Sequence, residues 1–353
     1  MAPLSVSDQP VFAFRNGWSL AHRQCHRLLG DPRKGLNPEL FTRKAGSDLW
    51  IDHSAGYLVP KRLYHEDHPE YYAMGKDGNR VAADEFSDHR TPLCLSNPDV
   101  TKISIRRALA WIEKNPQQTF FMITYGDTGL WCQCPACRKL DPAPGAYATR
   151  LLHWVNQVAE AVAAEYPDKT LLTFAYGGSD KVPPTARPAE NVWIVVATGC
   201  GSHRFWDHAF AADGAGTKKI RDWLAVAPHQ VAVCEYLGAY EPAMVDKMTG
   251  RLRYYAKIGL RGVNATYGAP PNFRPVWRYV WSKMCWDPQR DGQALAAEFI
   301  RFRYGPAAEP IVKFFELSHE RYQATLAGEP KLAETGYPPD YYTPEFVRAA
   351  KAC

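Results

Sequence analysis

The sequence has no long apolar run, and none of its stretches approaches the roughly 20 consecutive apolar residues that a membrane-spanning helix needs. Its first ten residues contain no basic start followed by an apolar stretch, which is the pattern of a signal peptide. We therefore expect no membrane partner. The sequence alone leaves the cellular location unknown.

The chain also has no large excess of positive or negative charge, and it contains few cysteines. The net charge is +5 over 353 residues, and the 42 lysines and arginines are scattered rather than clustered. Nucleic-acid-binding domains usually carry a basic patch or stripe, so we expect no nucleic-acid partner. Nine cysteines are far fewer than a disulfide-scaffolded protein of this length would contain.

Aromatic side chains, by contrast, are plentiful. Phe, Tyr and Trp make up 13% of the chain, and 46% of all residues are hydrophobic. A wide cleft lined with aromatic rings would suit stacking against sugar rings, but a large core needs aromatic residues as well, so both interpretations stay open. The length is sufficient for one large α/β barrel or for two ordinary domains.

Apolar, strand-like runs alternate with helical patterns along most of the chain. We predict strands at 11–14, 49–53, 91–95, 119–125, 170–176, 192–197, 230–236 and 262–266, and helices at 97–114, 147–166, 218–226 and 243–258. This alternation indicates βαβ units and a parallel sheet. The long loops after the strands favour a (β/α)8 TIM-type barrel, incomplete or irregular, over a doubly wound sheet. We expect this barrel domain at 1–275 and a helical C-terminal segment packed on it at 276–353.

The stretch 119–140 contains the first candidate for chemistry. Its apolar run ends abruptly in Gly-Asp-Thr-Gly, which places Asp127 at the carboxyl end of a predicted strand, where α/β folds bind ligands. Glu235 ends another predicted strand. Glycoside cleavage generally uses two carboxyl groups, so we predict Asp127 and Glu235 as a catalytic pair. Two alternatives stay open: Asp127 as a turn residue, and Glu235 as a buried acid paired with an Arg or Lys.

Further polar and aromatic residues lie near the ends of predicted strands. We expect the substrate-binding residues to be His53, Tyr125, Tyr176, Tyr236, Asn264 and Trp277. They offer hydrogen bonds and stacking faces to a sugar, although each one alone is also typical of a packing residue. An asparagine can bind a hydroxyl group, but it cannot act as an acid or base at ordinary pH.

Three cysteines follow the strand end with C-x-C-x2-C spacing. Cys132, Cys134 and Cys137 could supply most of a tetrahedral structural zinc site, with Cys94, His153 or another residue as the fourth ligand. A disulfide with one free thiol, or three reduced thiols, are the alternatives. We expect no cofactor to be required for catalysis.

Several short phrases occur in one order along the chain and together resemble a known family. They are His68-Pro69-Glu70-Tyr71-Tyr72, Leu93-Cys94-Leu95-Ser96-Asn97-Pro98, the cysteine cluster, Tyr166-Pro167-Asp168-Lys169, Ser282-Lys283-Met284-Cys285-Trp286-Asp287-Pro288 and Tyr304-Gly305-Pro306-Ala307-Ala308. This sequence resembles the DUF4838 family, a domain of unknown function found in large bacterial proteins that look like α-glucuronidases and β-hexosaminidases. The resemblance spans about residues 53–322.

The resemblance implies a TIM-type barrel that acts on, or binds, a carbohydrate, with a helical tail packed after it, but no settled reaction comes with it. From the carboxylate pair we expect a glycoside hydrolase of a polysaccharide or oligosaccharide, such as a uronic or amino-sugar one. The alternative is a non-catalytic carbohydrate-binding barrel or a member without hydrolytic activity, because the family commonly has a glutamate where this chain has Asn264, Ala265 and Thr266. Family members usually carry a secretion signal and a hexosaminidase-like domain before the barrel. The resemblance therefore implies a secreted or periplasmic protein if this chain is a trimmed piece that has lost its N-terminal part; otherwise the location stays unknown.

Overall fold

In the computed structural model, the described parts of the chain are residues 10–17, 53–198, 215–237, 244–267, 274–328 and 342–353. Strands β1 to β6 are Phe14–Gly17, Phe120–Met122, Thr170–Ala175, Val192–Ala197, Val231–Leu237 and Gly262–Tyr267. Helices α1 to α6 are Ala55–Leu58, Lys61–Tyr64, Pro98–Lys114, Pro135–Leu140, Ala148–Glu165 and Ala215–Val226. Helices α7 to α11 are Met244–Lys257, Arg274–Trp286, Gly292–Tyr304, Ala308–Gly328 and Pro344–Lys351. Short 3₁₀ helices lie at Pro69–Tyr71, Ala83–Glu85, Asp88–Arg90, Gly177–Ser179 and Gly305–Ala307.

The six strands form one sheet in the order β1-β6-β5-β4-β3-β2. The pairs β1–β6, β2–β3 and β3–β4 are parallel. Strands β4 and β5 also run parallel, because Ile194 N bonds to Gln230 O and Thr198 N bonds to Cys234 O, so both partners advance by the same number of residues. Helices connect most of the successive strands, so the predicted α/β class with a parallel sheet is confirmed.

The strand order is that of part of a barrel. Strands β2 to β6 are neighbours in chain order, and β1 pairs with β6, as the first and last strands of a closing sheet do. The described residues contain six strands, so a full eight-stranded barrel is not established. The predicted strand at 49–53 lies almost wholly outside the described residues.

The predicted strand at 91–95 is not part of this sheet. Leu93 instead forms an isolated antiparallel bridge with Tyr72. The flanking hydrogen bonds run from Ala73 N to Pro92 O and from Cys94 N to Tyr71 O. This segment is therefore held by the loop that precedes it, which the sequence pattern did not indicate.

Local capping and apolar spacing explain the two best-predicted helices. Helix α3 begins where the Asn97 side chain accepts a hydrogen bond from Asp99 N and Pro98 occupies the first turn. Helix α5 buries one face, as its amphipathic pattern predicts. The two helices are joined by a hydrogen bond of 3.2 Å from Trp154 Nε1 to Ser104 Oγ.

The chain divides into two compact units. The first, called the 48–197 unit, comprises Asp48–Ala197 and Lys219–Val233. The second, called the 234–353 unit, comprises Met1–Ser47, Thr198–Lys218 and Cys234–Cys353. All described elements after β6 are helices, whereas the domain boundary at 275/276 stays a prediction. Within the described ranges, no helix combines the length and apolar character that crossing a membrane requires.

Candidate functional site

The chain leaves the core of the 48–197 unit at Asp127. Residues 121–126 are buried, and burial ends at Asp127, whose side chain is 41% exposed. The segment continues β2 beyond Met122, since Ile123 N still bonds to Leu172 O of β3 at 2.9 Å. Asp127 therefore lies just past the carboxyl end of a parallel strand, as predicted.

A second segment, 88–91, lies directly against this strand end. Asp127 N donates to His89 O at 3.0 Å, and Arg90 Nε donates to Asp127 O at 3.1 Å. Only glycine fits at position 126, because an added Cβ would overlap the backbone of Thr91 and lie 2.7 Å from its nitrogen. Gly126 thus permits the close approach that puts His89 beside Asp127.

A third segment, 53–56, is fixed to both of the others. Ser54 N donates to Thr124 Oγ1 and Thr124 N donates to Ser54 Oγ, each at 2.9 Å, and both side chains are buried. A Cβ on Gly56 would overlap the Asp88 carbonyl and lie 2.6 Å from Thr91 Oγ1. Each pair of segments is therefore held by its own contact, which restricts the side chains that they carry.

The side chains of these segments converge with one from the end of β3. Tyr176 donates its hydroxyl to Asp127 Oδ1 at 3.0 Å, and Asp127 Oδ2 lies 3.6 Å from His89 Nε2. His53 Nδ1 is 2.7 Å from Tyr125 O. Its ring centroid lies 5.1 Å from that of His89 and 5.7 Å from that of Tyr176. His53, Tyr176 and Asp127 were predicted as site residues, and the structure brings them together.

His89 is the site residue that sequence reasoning missed. It lies in the short 3₁₀ helix Asp88–Arg90, within a polar segment that has no apolar periodicity. Its only signal was its position before the 91–95 segment, which was itself assigned to the wrong element. The backbone contact with Asp127, rather than sequence spacing, places His89 in the site.

Tyr125, also predicted to line the site, is 5% exposed. Its hydroxyl donates to Leu130 O at 2.8 Å, and its ring stacks on Trp131 with centroids 4.1 Å apart. Burial raises the pKa of the hydroxyl well above its ordinary value, so it stays a donor at neutral pH. These contacts favour a packing role that fixes the loop after Asp127.

In the 234–353 unit, Glu235 lies on β5 and is fully buried. Its carboxylate forms an ion pair with Arg251 and accepts a hydrogen bond from the Tyr255 hydroxyl, both on α7. Asn264 Nδ2, on β6, donates to Cys234 Sγ at 3.1 Å. Because side chains alternate along a strand, Glu235 points to the helix-facing side, and Cys234 points to the opposite side with Asn264.

The remaining predicted liners lie in the same unit. Asn264 is fully buried, and Trp277, on α8, is 1% exposed. These burials favour packing roles over contact with a ligand. The Tyr236 side chain lies outside the described residues, so its role as a liner stays a prediction.

The cysteine cluster forms a compact group in the 48–197 unit. Cys94, Cys132, Cys134 and Cys137 are all buried, and their sulfur atoms lie within 4.8 Å of one another. Cys94 Sγ is 3.7 Å from Cys134 Sγ and 3.8 Å from Cys137 Sγ. Of the two fourth ligands named from the sequence, Cys94 is present in the cluster. His153, the other, is exposed on α5.

These distances fit a metal such as zinc. A tetrahedral zinc ion with Zn–S bonds of about 2.3 Å separates its sulfur ligands by about 3.8 Å. Cys137 N donates to Cys134 Sγ at 3.4 Å, and Met74 N donates to Cys132 Sγ at 3.3 Å; backbone donors of this kind stabilise thiolates. Hydrogen bonds from the thiols of Cys132 and Cys137 lower the pKa of Cys94, while the same contacts raise the pKa of Cys132. The cluster can therefore hold a metal cation.

Buried contacts connect the cysteine cluster to the loop after Asp127. Trp131 stacks on Tyr147 with centroids 4.6 Å apart, and it also stacks on Tyr125, as described above. Arg150 donates from Nη1 to Cys132 O and pairs with Asp141 at 3.1 Å. The segment from Asp127 to the cysteines is thus anchored at both ends.

The solved structures that align with this chain are only distantly similar to it. A family 89 glycoside hydrolase from Clostridium perfringens, in complex with 2-acetamido-1,2-dideoxynojirmycin, aligns with a TM-score of 0.36 and 11% identity, over 68% of this chain and 24% of that one. A GH138 enzyme targeting pectin rhamnogalacturonan II aligns with a TM-score of 0.37 and 12% identity, over 90% of this chain and 54% of that one. This chain therefore spans about a quarter and about half of the lengths of these two proteins.

A search of curated proteins finds no matching sequence. The profile of one family, described as a domain of unknown function (DUF4838), matches residues 2–316, which is most of the 353-residue chain. The resemblance carried by the short phrases is thereby confirmed. The chain belongs to the DUF4838 family.

Proposed function

We propose that this protein is a carbohydrate-active enzyme that hydrolyses a glycosidic bond and uses Asp127 for proton transfer. One observation carries the proposal: a partly exposed carboxylate lies past the carboxyl end of a parallel strand, with one oxygen held by Tyr176 and the other facing His89. Glycoside hydrolysis requires a carboxyl group in such a position, within reach of the substrate but held in one orientation.

The surrounding side chains suit a sugar. His53, His89 and Tyr176 offer ring faces and polar edges around the carboxylate, which are the groups that sugar hydroxyls and sugar rings contact. In this proposal the Tyr176 hydroxyl positions Asp127, and the ring of Tyr176 offers its face to the sugar. Sugars with a carboxylate or an acetamido group are the substrates to test first, as the resemblance implies.

Glu235 is assigned a structural role in this proposal. Its carboxylate is fully buried and already satisfied by Arg251 and Tyr255. A catalytic carboxyl group must reach the substrate, and this environment gives it no exposed oxygen. The predicted pairing of Asp127 with Glu235 remains a hypothesis that this burial weighs against.

A non-catalytic carbohydrate-binding protein is the second candidate. It is favoured by the burial of Glu235 and by the neutral Asn264 where the resemblance implies a glutamate. A binding protein needs the polar and aromatic groups around Asp127 but no second acid. Both functions therefore use the same site and differ in turnover.

The test compares the wild-type protein with Asp127→Asn on a panel of uronic and hexosaminide substrates. Asp168→Asn is a matched control, because Asp168 is in the same unit and its side chain is 69% exposed beside Lys169. We expect wild-type turnover, a loss of at least about 100-fold in Asp127→Asn, as general acid–base groups contribute, and full activity in Asp168→Asn. Binding of an oligosaccharide without any turnover would refute the hydrolase and leave the binding protein.

For the four cysteines, we propose a structural zinc ion. Its role would be to hold the loop between Asp127 and α4, because two of the ligands, Cys132 and Cys134, lie in that loop. Structural zinc sites have four protein ligands and no open position, as this cluster would. The catalytic step proposed above takes place without this ion.

A further inference from the structure

We propose that His53, His89 and Asp127 form a second metal site, which binds a divalent transition-metal ion such as Zn²⁺. One ligand atom from each residue lies within 4.8 Å of the other two. This proposal goes beyond the proposed hydrolase and does not depend on it. The site differs in chemistry from the cysteine cluster, because its ligands are two imidazole nitrogens and one carboxylate oxygen.

The backbone brings these three ligands together before any ion arrives. His53, His89 and Asp127 come from three different segments of the chain. Each pair of segments is locked by a separate contact: the reciprocal bonds of Ser54 and Thr124, the close approach at Gly56, and the close approach at Gly126. Such preorganisation lowers the cost of assembling a metal site from distant parts of the sequence.

The ligands are also oriented as metal ligands usually are. The Tyr125 carbonyl at 2.7 Å places the proton of a neutral His53 on Nδ1, which gives the lone pair to Nε2. The Tyr176 hydroxyl holds Asp127 Oδ1 and turns Oδ2 towards His89. A carbonyl on the far nitrogen of a histidine and a hydrogen bond on the ligating carboxylate are the typical outer contacts of a metal site.

The distances and the exposure fit an ion with an open coordination position. Zinc–nitrogen and zinc–oxygen bonds of about 2.0–2.2 Å place tetrahedral ligand atoms roughly 3.3–3.5 Å apart, and His89 Nε2 and Asp127 Oδ2 are separated by 3.6 Å. Their side chains are 42% and 41% exposed, so an ion can enter and keep a water molecule or another oxygen ligand. Three protein ligands with one open position are the pattern of reactive rather than structural zinc sites.

The ion would bind the carboxylate that the proposed hydrolase uses, and an Asp127 that holds the ion could not transfer the proton at the same time. The two proposals are therefore tested by different measurements, metal binding for this one and substrate turnover for the other. Metal binding without turnover would leave this proposal intact and refute the hydrolase. Turnover without metal binding would refute this proposal and leave the hydrolase intact.

The test is a cobalt titration of the full chain. Protein prepared with zinc is dialysed against metal-free buffer, which leaves a buried thiolate site filled, and is then titrated with Co²⁺ while visible absorption and bound metal are measured. We expect one added cobalt per chain, with d–d absorption and without the near-ultraviolet thiolate charge-transfer band. Wild type is compared with His89→Ala, Asp127→Asn and His153→Ala, the last being the control on exposed α5.

His89→Ala and Asp127→Asn are expected to weaken cobalt binding by more than about 100-fold, because changes in outer contacts alone cost about 10–100-fold. Tyr176→Phe, which changes only an outer contact, is expected to weaken it by about 10–100-fold. His153→Ala is expected to bind as wild type does. The proposal is overturned if wild type takes up no cobalt outside the thiolate site, or if all variants bind it equally; circular dichroism verifies that each variant is folded.

Discussion

Replacing Glu235 with glutamine separates a structural carboxylate from a catalytic one. The substitution keeps the size of the side chain but removes its charge, while Arg251 stays buried with its side chain 9% exposed. The Tyr255 hydroxyl keeps an acceptor, although a neutral one. If the role is structural, the cost falls on the free energy of unfolding.

The size of that cost follows from the buried ion pair. Removing one partner of a buried ion pair costs about 3–5 kcal/mol, because the other charge is left uncompensated. With an m value of about 3 kcal/mol/M, a loss of 3–5 kcal/mol lowers the urea midpoint by roughly 1–1.7 M.

The assay measures urea unfolding by fluorescence together with activity or ligand binding per folded molecule. Asp127→Asn is the matched variant, because its carboxylate is 41% exposed and surface substitutions usually change stability by about 0.5 kcal/mol or less. We expect Glu235→Gln to lower the urea midpoint and to keep its function per folded molecule. We expect Asp127→Asn to keep the wild-type midpoint and to lose function. A Glu235→Gln protein with the wild-type midpoint and no function would refute the structural assignment.

Three other predictions concern the contacts that hold the site. Gly126→Ala is expected to cost about 1–3 kcal/mol by overpacking against the neighbouring backbone, whereas Gly129→Ala, whose Cβ would meet nothing within 4 Å, is expected to be neutral or slightly stabilising; equal urea midpoints would contradict this. Ser54→Ala is expected to cost about 1–3 kcal/mol, because it leaves a buried backbone N–H without its acceptor, and a stability equal to wild type would argue against the reciprocal pair. Cys134→Ser is expected to remove the tightly bound zinc and to lower the thermal midpoint, whereas Cys353→Ser is expected to keep the zinc and the wild-type midpoint. Elemental analysis measures the zinc and calorimetry the midpoint. Zinc retained in Cys134→Ser would exclude the cluster as its site.

The sequence predicted the parallel strands well where their apolar runs are buried on both faces. Strand β4 was predicted with its observed bounds, and β3 and β5 to within one residue, because turn residues end each run sharply. The 91–95 segment is also short and buried, but its Leu93 forms an antiparallel bridge with Tyr72. A short apolar run does not encode its partner, so pairing with a loop instead of the sheet could not be predicted from periodicity.

The candidate site was predictable only in part, for a related reason. Asp127 and Tyr176 were found because each follows a strand, and the carboxyl ends of parallel strands meet at one edge of a sheet. His89 follows no strand. It reaches the site because Gly126, which has no Cβ atom, lets the backbone of Thr91 come close. In the sequence, a glycine within Gly-Asp-Thr-Gly predicts a turn and not a close contact with another segment.

The direction of Glu235 required knowledge of which face of β5 meets the helices. Every described residue of β5 from Val231 to Glu235 is buried, so the strand has no apolar–polar alternation to identify its faces. The contact of Asn264 with Cys234, and that of Arg251 with Glu235, assign the two faces from outside the strand. A shift of the strand register by one residue would exchange the side chains on the two faces. A ligand-facing group on β5 would therefore occupy the same face as Cys234, so an acid one position later is placed to stabilise the packing of α7 on the sheet.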